Sequence, residues 1–183
     1  MRILLALLSL LFVTLPAFGF VRSGALQGKV FLTRDEALKL AFPDCDLKKA
    51  TAYLTKDEKK AAEKLAKEKI ESSIVYIYKA SKNGKLVGTA YFDAHRVRTK
   101  KEVMMFVVDT KDTIRRIELL SFGEPLDYIP RDKWYAQFLD RKLDDQLSLK
   151  RGIRGVTGAT LTARATTSAA RRVLSLHEIL AKR

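Results

Sequence analysis

Hydrophobic and polar positions alternate along the middle of the chain with the two-residue period of β-strands. Between residues 73 and 80, the side chains of Ile74, Tyr76 and Tyr78 are predicted to share one face of a strand. The dipeptide Asn83-Gly84 comes next and is typical of a two-residue hairpin turn. Three further apolar stretches follow, so the pattern predicts an antiparallel meander. Its predicted strands cover residues 73–80, 85–97, 102–109 and 114–121.

A helical period replaces this alternation on both sides of the meander. Thr33–Glu36 and Thr55–Glu58 each have the Thr-x-x-Glu form of a capping box and precede apolar residues at helical spacing. Further helices are predicted over residues 132–141 and 163–181. The expected fold class is α+β, an antiparallel sheet packed with helices. The expected organisation is a leader over residues 1–19, a helical segment over 20–72 and a main domain over 73–183.

The N-terminus has the pattern of an export signal. Arg2 is followed by an apolar run over residues 3–15, and Pro16 then breaks the run. Small residues at Ala17 and Gly19 occupy the two cleavage-site positions. The alternative is an uncleaved membrane anchor, because the apolar run approaches the roughly 20 residues that span a bilayer. We therefore expect a periplasmic or otherwise exported protein, membrane-associated if the segment is retained.

Composition narrows the function further. The chain has a single cysteine, Cys45, which excludes an intramolecular disulfide and a Cys-x-x-Cys redox or zinc site. The formal net charge is +14, which in a cytosolic chain would suggest nucleic acid. Export argues against that partner. Anionic lipid headgroups, acidic proteins and phosphate-bearing ligands are the better candidates.

No catalytic constellation or metal site is evident in the sequence. His177 is interpreted as a surface residue near the end of a helix, and His95 lies on a strand without further metal ligands at suitable spacing. No serine stands in a nucleophile-elbow sequence. The remaining candidate carboxylates are most simply placed in solvated turns and helix ends: Asp127, Asp132, Asp140, Asp144 and Asp145.

The stretch most suggestive of chemistry lies where a loop becomes the final helix. Gly158 allows an unusual backbone conformation, and Thr160 and Thr162 stand at the expected helix start. Free N–H groups and the helix dipole at such a place stabilise a phosphate. The alternative is that one threonine is simply the N-cap. Basic residues that could assist an anion flank the turn: Lys150, Arg151, Arg154 and Arg164.

The segment Thr157-Gly158-Ala159-Thr160, followed by Leu161-Thr162, resembles the S/T-G-A-T flavinylation motif of the FMN-binding domain family. That family includes the periplasmic C and G subunits of the sodium-pumping quinone reductase and Rnf complexes. Other segments resemble the family in the same order over residues 73–180: residues 84–88, 107–109, 114–117, 122–125 and 134–138. Arg154 departs from the family, which often has an aspartate at that position.

The resemblance implies FMN as the cofactor and Thr160 as the residue that carries it, through a phosphoester bond made by a periplasmic flavin transferase from FAD. It implies that the phosphate and ribityl chain are lined by Thr157, Gly158, Ala159, Leu161 and Thr162. Glu124 and Pro125 would lie near the isoalloxazine ring.

The function implied is electron relay between membrane or periplasmic redox proteins, rather than a stand-alone enzyme. The first alternative is a noncovalent FMN-binding or regulatory module of the same fold. The second is a basic surface-binding protein without a cofactor.

Overall fold

The computed structural model describes residues 28–183. The export-signal prediction, over residues 1–19, lies outside the described residues. Within residues 28–183, none of the helices combines the length and the apolar composition that a bilayer crossing needs.

A six-stranded antiparallel sheet forms the centre of the fold, which confirms the α+β prediction. The strand order is β1-β6-β5-β4-β3-β2, so the predicted meander occupies consecutive places from β3 to β6. Asn83 and Gly84 both have positive φ, as the hairpin turn between β3 and β4 requires. The strands are β1 (Lys29–Val30), β2 (Asp46–Tyr53), β3 (Ile74–Lys82), β4 (Lys85–Arg96), β5 (Lys101–Asp109) and β6 (Ile114–Phe122).

Strand β2 was missed by the sequence pattern, which predicted a helical segment over residues 20–72. This strand pairs with β3 along its whole length, from Asp46 opposite Ser81 to Tyr53 opposite Ile74. It forms the edge of the sheet, and Ala52 is its one buried residue. Its sequence therefore lacks the apolar alternation of a half-buried strand, and the pairing partner determines its conformation.

Both predicted capping boxes are confirmed. Thr33 Oγ1 accepts a hydrogen bond from the Glu36 amide, and the Glu36 carboxylate accepts one from the Thr33 amide. Thr55 and Glu58 make the same pair of bonds. The helices are α1 (Arg34–Ala41), α2 (Lys56–Ala66), α3 (Asp132–Tyr135) and α4 (Thr160–Ala181).

Helices cover both faces of the sheet. The long helix α4 lies across one face over a core that includes Phe106, Phe138 and Val173. Helix α1 covers part of the other face, where Leu38 and Phe42 pack. Strand β5 contributes residues to both cores. Helix α4 begins at residue 160, three residues before the predicted start, which places Thr160 and Thr162 inside its first turn.

Arg171 joins α2 and α4 to the connector over residues 142–156. Its guanidinium is 6% exposed and donates to four backbone carbonyls, those of Leu65, Ala66, Asp144 and Leu147. Leu147 of this connector is fully buried. The path of the chain into the motif is thus fixed by packing against α2.

Candidate functional site

The turn before α4 has the geometry of an anion-binding helix start. Gly158 has a φ of +83°, and a Cβ atom added there would meet nothing within 4 Å. Ala159 occupies the N-cap position and has no side chain able to cap the helix. The interpretation of Thr160 or Thr162 as the N-cap is therefore wrong. Thr160 is the first helical residue, and its hydroxyl donates to the Val156 carbonyl at 3.2 Å.

The amide groups of this first turn are free to meet a ligand. Helical hydrogen bonding begins with the Ala163 amide, which donates to the Ala159 carbonyl at 2.9 Å. The amides of residues 160–162 have no helical acceptor, as at every helix start. The Thr162 hydroxyl is buried without a hydrogen-bond partner within residues 28–183. A negatively charged group would satisfy these donors and the positive end of the helix dipole.

A small cavity of about 270 Å³ opens against this turn. One wall is residues 158–162, which include five of the predicted site residues. The opposite wall comes from Val97 and Arg98 in the β4–β5 loop, together with Glu124 and Tyr128. The sequence did not point to residues 97, 98 or 128, because only the fold brings three separate loops to the helix start.

Glu124 ties together two segments of the wall that faces residues 158–162. Its Oε1 accepts hydrogen bonds from the amides of Thr99 at 2.6 Å and Lys100 at 2.8 Å. These bonds, led by the one from Thr99, hold the pKa of the Glu124 carboxyl below its usual range. Pro125 does not line the small cavity; it precedes the short turn Leu126–Tyr128 that carries Tyr128.

A larger, basic cavity of about 830 Å³ lies on the other side of the turn, and Thr157 and Ala159 line it. The Arg154 backbone is held between the Trp134 indole, which donates to its carbonyl at 2.7 Å, and Gln137, which accepts from its amide at 2.9 Å. Four cationic side chains line this cavity with a single carboxylate, that of Asp127: Arg131, Lys133, Arg141 and Arg154.

The two histidines lie away from these cavities. His177 was interpreted as a surface residue, but its side chain is 12% exposed and lies between the Tyr91 hydroxyl at 2.9 Å and Asp112 at 3.1 Å. Burial therefore lowers its pKa. Within the described part of the chain, no three His, Cys, Asp or Glu side chains are arranged to hold a metal ion.

His95 lies between two carboxylates. Its Nδ1 is 2.7 Å from Asp93 and its Nε2 is 2.7 Å from Glu102. Burial of the ring opposes its charged form, but the bonds to both carboxylates prevail and raise the pKa of His95 to about 9. His95 is thus an imidazolium at neutral pH.

The fold presents an uncapped helix start whose free amides suit a phosphate-bearing ligand. Residues 99–175 match the family model of the FMN-binding domain, a stretch that runs from the β4–β5 loop into α4 and contains the motif. This match supports an FMN-binding domain over that stretch and implies FMN as the cofactor. Neither a curated protein nor a solved structure matches the chain. The family match removes the alternative of a basic protein without a cofactor.

The residues present fit FMN. A phosphate can accept hydrogen bonds from the free amides at the start of α4 and from the unpartnered Thr162 hydroxyl. A ring system with apolar faces needs flat apolar walls, which Val97, Tyr128 and Leu161 supply. The two cavities share Ala159, and the larger one, at about 830 Å³, falls in the volume range of small-molecule sites.

Proposed function

We propose that the protein is an exported flavoprotein that carries electrons in a periplasmic or membrane-associated chain, with FMN attached to Thr160 through a phosphoester bond. The observation that carries this proposal is the first turn of α4, which lacks a side-chain cap and presents the exposed Thr160 beside the small cavity. FMN, when bound, supplies the redox chemistry, while the protein contributes binding, orientation and electrostatics.

Thr160 is the best placed of the threonines in the first turn. Its side chain is exposed, whereas Thr162 is 1% exposed and inaccessible to a modifying enzyme. In the attachment step, the Thr160 hydroxyl loses its proton and forms an Oγ–P bond to the FMN phosphate of FAD. The pyrophosphate bond breaks and AMP leaves. An exported flavin transferase is the proposed partner for this reaction.

A relay role suits the small cavity better than a stand-alone reaction. Its one carboxylate, Glu124, is already bonded to the β4–β5 loop, and no histidine lines the cavity. The protein therefore offers binding groups around the flavin but no free acid or base for a substrate. Electrons would pass to and from other redox proteins.

The positive charge around the larger cavity could attract those redox partners. Its rim carries exposed cations at Arg131, Lys133 and Arg154, and the whole chain has a formal net charge of +14. Acidic surfaces of periplasmic redox proteins, or an anionic membrane surface, would be attracted to this face. Nucleic acid is not a proposed partner, because the protein is proposed to be exported.

The intact mass of the full chain, produced with its export signal in a host that has a flavin transferase, tests the proposal. We expect a mass increase equal to FMN less one water. The increase should disappear in Thr160→Ala and persist in Thr110→Ala, a control at an exposed threonine between β5 and β6 and outside the motif. An unmodified wild-type chain would exclude the covalent bond, and the mass would also reveal whether the signal is cleaved.

Noncovalent FMN binding is the second candidate, and Arg154 favours it. This arginine lies at the entrance to the motif, where an aspartate is frequent in the family, and its charge would support a phosphate without a covalent bond. In that case, FMN should copurify with the folded protein and be released completely on denaturation. A regulatory module would bind FMN in this way without passing electrons onward.

A further inference from the structure

A chain of four charged side chains ties the β4–β5 hairpin to α4. Its members alternate in sign and lie on the α4 side of the sheet: Arg172, Asp93, His95 and Glu102. The Arg172 guanidinium donates to both oxygens of Asp93, at 2.7 and 3.0 Å. Asp93 and Glu102 bind the two nitrogens of His95.

Burial makes this charge chain stronger than a surface ion-pair network. The side chains are between 0% and 16% exposed, and Glu102 is fully buried. Buried charges are tolerated when they are paired and hydrogen-bonded, and removing one partner leaves another uncompensated. The four groups are thus expected to hold their relative positions tightly.

The location of the charge chain connects it to the cavity. His95 and Glu102 are directly opposite each other on β4 and β5, next to the last paired residues before the loop. That loop supplies Val97 and Arg98 to the cavity wall and the Thr99 and Lys100 amides to Glu124. Arg172 lies on α4, the helix whose first turn forms the facing wall.

We propose that the charge chain positions the two walls of the flavin cavity, holding the β4–β5 loop at a set distance from the first turn of α4. His95 and Glu102 are then positioning residues for FMN, which act through the loop and do not touch the cofactor. This inference rests on the proposed flavin site and names the residues that shape it.

The test uses the full-length chain purified without flavin and titrated with FMN. His95→Gln and Glu102→Gln should each weaken FMN binding about tenfold, the effect of losing one hydrogen bond to a charged group. His177→Gln is the matched control, because it removes a similarly buried histidine from the far end of α4. Its FMN affinity should equal that of the wild type.

A flavin-independent measurement separates positioning from general destabilisation. Hydrogen exchange of the Thr99 and Lys100 amides, which bind Glu124, should accelerate in His95→Gln and stay at the wild-type rate in His177→Gln. If both variants lose similar thermal stability while loop exchange and FMN affinity are unchanged, the charge chain is purely structural and the inference is overturned. If wild-type protein binds no FMN but loop exchange responds as expected, the proposed flavin site fails while the positioning of the loop stands.

The pH dependence gives a second signature. His95 contacts Asp93 on its own strand and Glu102 on β5. Asp93 in turn binds Arg172 of α4. The charge of Glu102 also acts on Tyr135 of α3. Above the pKa of His95, the neutral ring can donate to only one of its two carboxylates. FMN affinity of the wild type should therefore fall towards that of His95→Gln as pH rises from 7 to about 10. Parallel profiles for the two proteins would contradict the inference.

Discussion

Ala159 separates the start of α4 from the starts of α1 and α2. Helices α1 and α2 begin with complete capping boxes built on Thr33 and Thr55, whereas α4 begins at an alanine that cannot cap. An alanine N-cap costs a helix about 1 kcal/mol relative to serine, threonine or aspartate. The loss is consistent with a helix start kept free for a ligand.

Placing a carboxylate at this position tests that interpretation. Ala159 lines both cavities, so Ala159→Asp would put a negative charge where the phosphate is proposed to lie. We expect FMN binding to weaken more than tenfold, while the flavin-free protein gains up to about 1 kcal/mol from the helix dipole. Ala159→Asn, equal in size and uncharged, should weaken binding less. FMN titration and urea unfolding give the two quantities, and equal FMN affinities for the two variants would argue against a phosphate at the α4 start.

His95 should also make the stability of the flavin-free protein depend on pH. Its pKa is about 9 in the folded state against an ordinary value of 6.5, so its stabilisation is complete below pH 6.5 and is lost as pH rises to about 9. We expect the unfolding free energy of the wild type to fall by roughly 3 kcal/mol over this interval relative to His95→Gln. Urea unfolding at a series of pH values measures the difference. A constant difference between the two proteins would mean that His95 is not charged in the fold.

At the level of the elements, Arg171 connects α2, α4 and the connector. The sequence pattern did not predict these contacts. The helical pattern of α4 predicts which of its residues face the core. Arg171 is a charged residue in that otherwise apolar pattern. In the structure it replaces the missing donors at the end of α2, whose last carbonyls have no helical partner. The signal available in the sequence was an arginine on the otherwise apolar face of a helix.

Arg171→Met should therefore destabilise the fold strongly. The methionine keeps the apolar part of the side chain but leaves four buried or partly buried carbonyls without their donor. We expect a loss of at least about 3 kcal/mol in unfolding free energy. Arg115→Met is the control, because Arg115 is 70% exposed and its ion pair with Asp140 spans 4.0 Å. Its change should stay below about 0.5 kcal/mol, and similar losses in both variants would contradict the role given to Arg171.

At the scale of the whole molecule, the sheet and its cores extend across the predicted boundary at residues 72 and 73. Strand β2 pairs with β3, and Leu38 of α1 packs in the same cluster as Tyr78 of β3. Helix α2 contributes Ala62 to a cluster that includes Leu176 of α4. The residues before position 73 therefore provide one edge of the sheet and cover part of both faces.

A fragment of residues 73–183 should not fold by itself for this reason. The fragment lacks α1, β2 and α2. The apolar residues that these elements cover would therefore be exposed, and β3 would become an unprotected edge of the sheet. We expect residues 28–183 to unfold in one cooperative urea transition and the shorter fragment to show none. A cooperative transition in the fragment would support the boundary predicted from the sequence.

The sequence by itself determined the α+β class, the four-strand meander, both capping boxes and the FMN-binding motif. These features depend on short-range rules: alternation, helical spacing, turn dipeptides and a contiguous run of residues. Only long-range packing established that β2 is a strand, that His177 is buried, and that Ala159 rather than a threonine occupies the N-cap position of α4. It also decided that loops far apart in the chain meet at Thr160. Those outcomes depend on which segments pack together, and burial and pairing between distant residues override local preference.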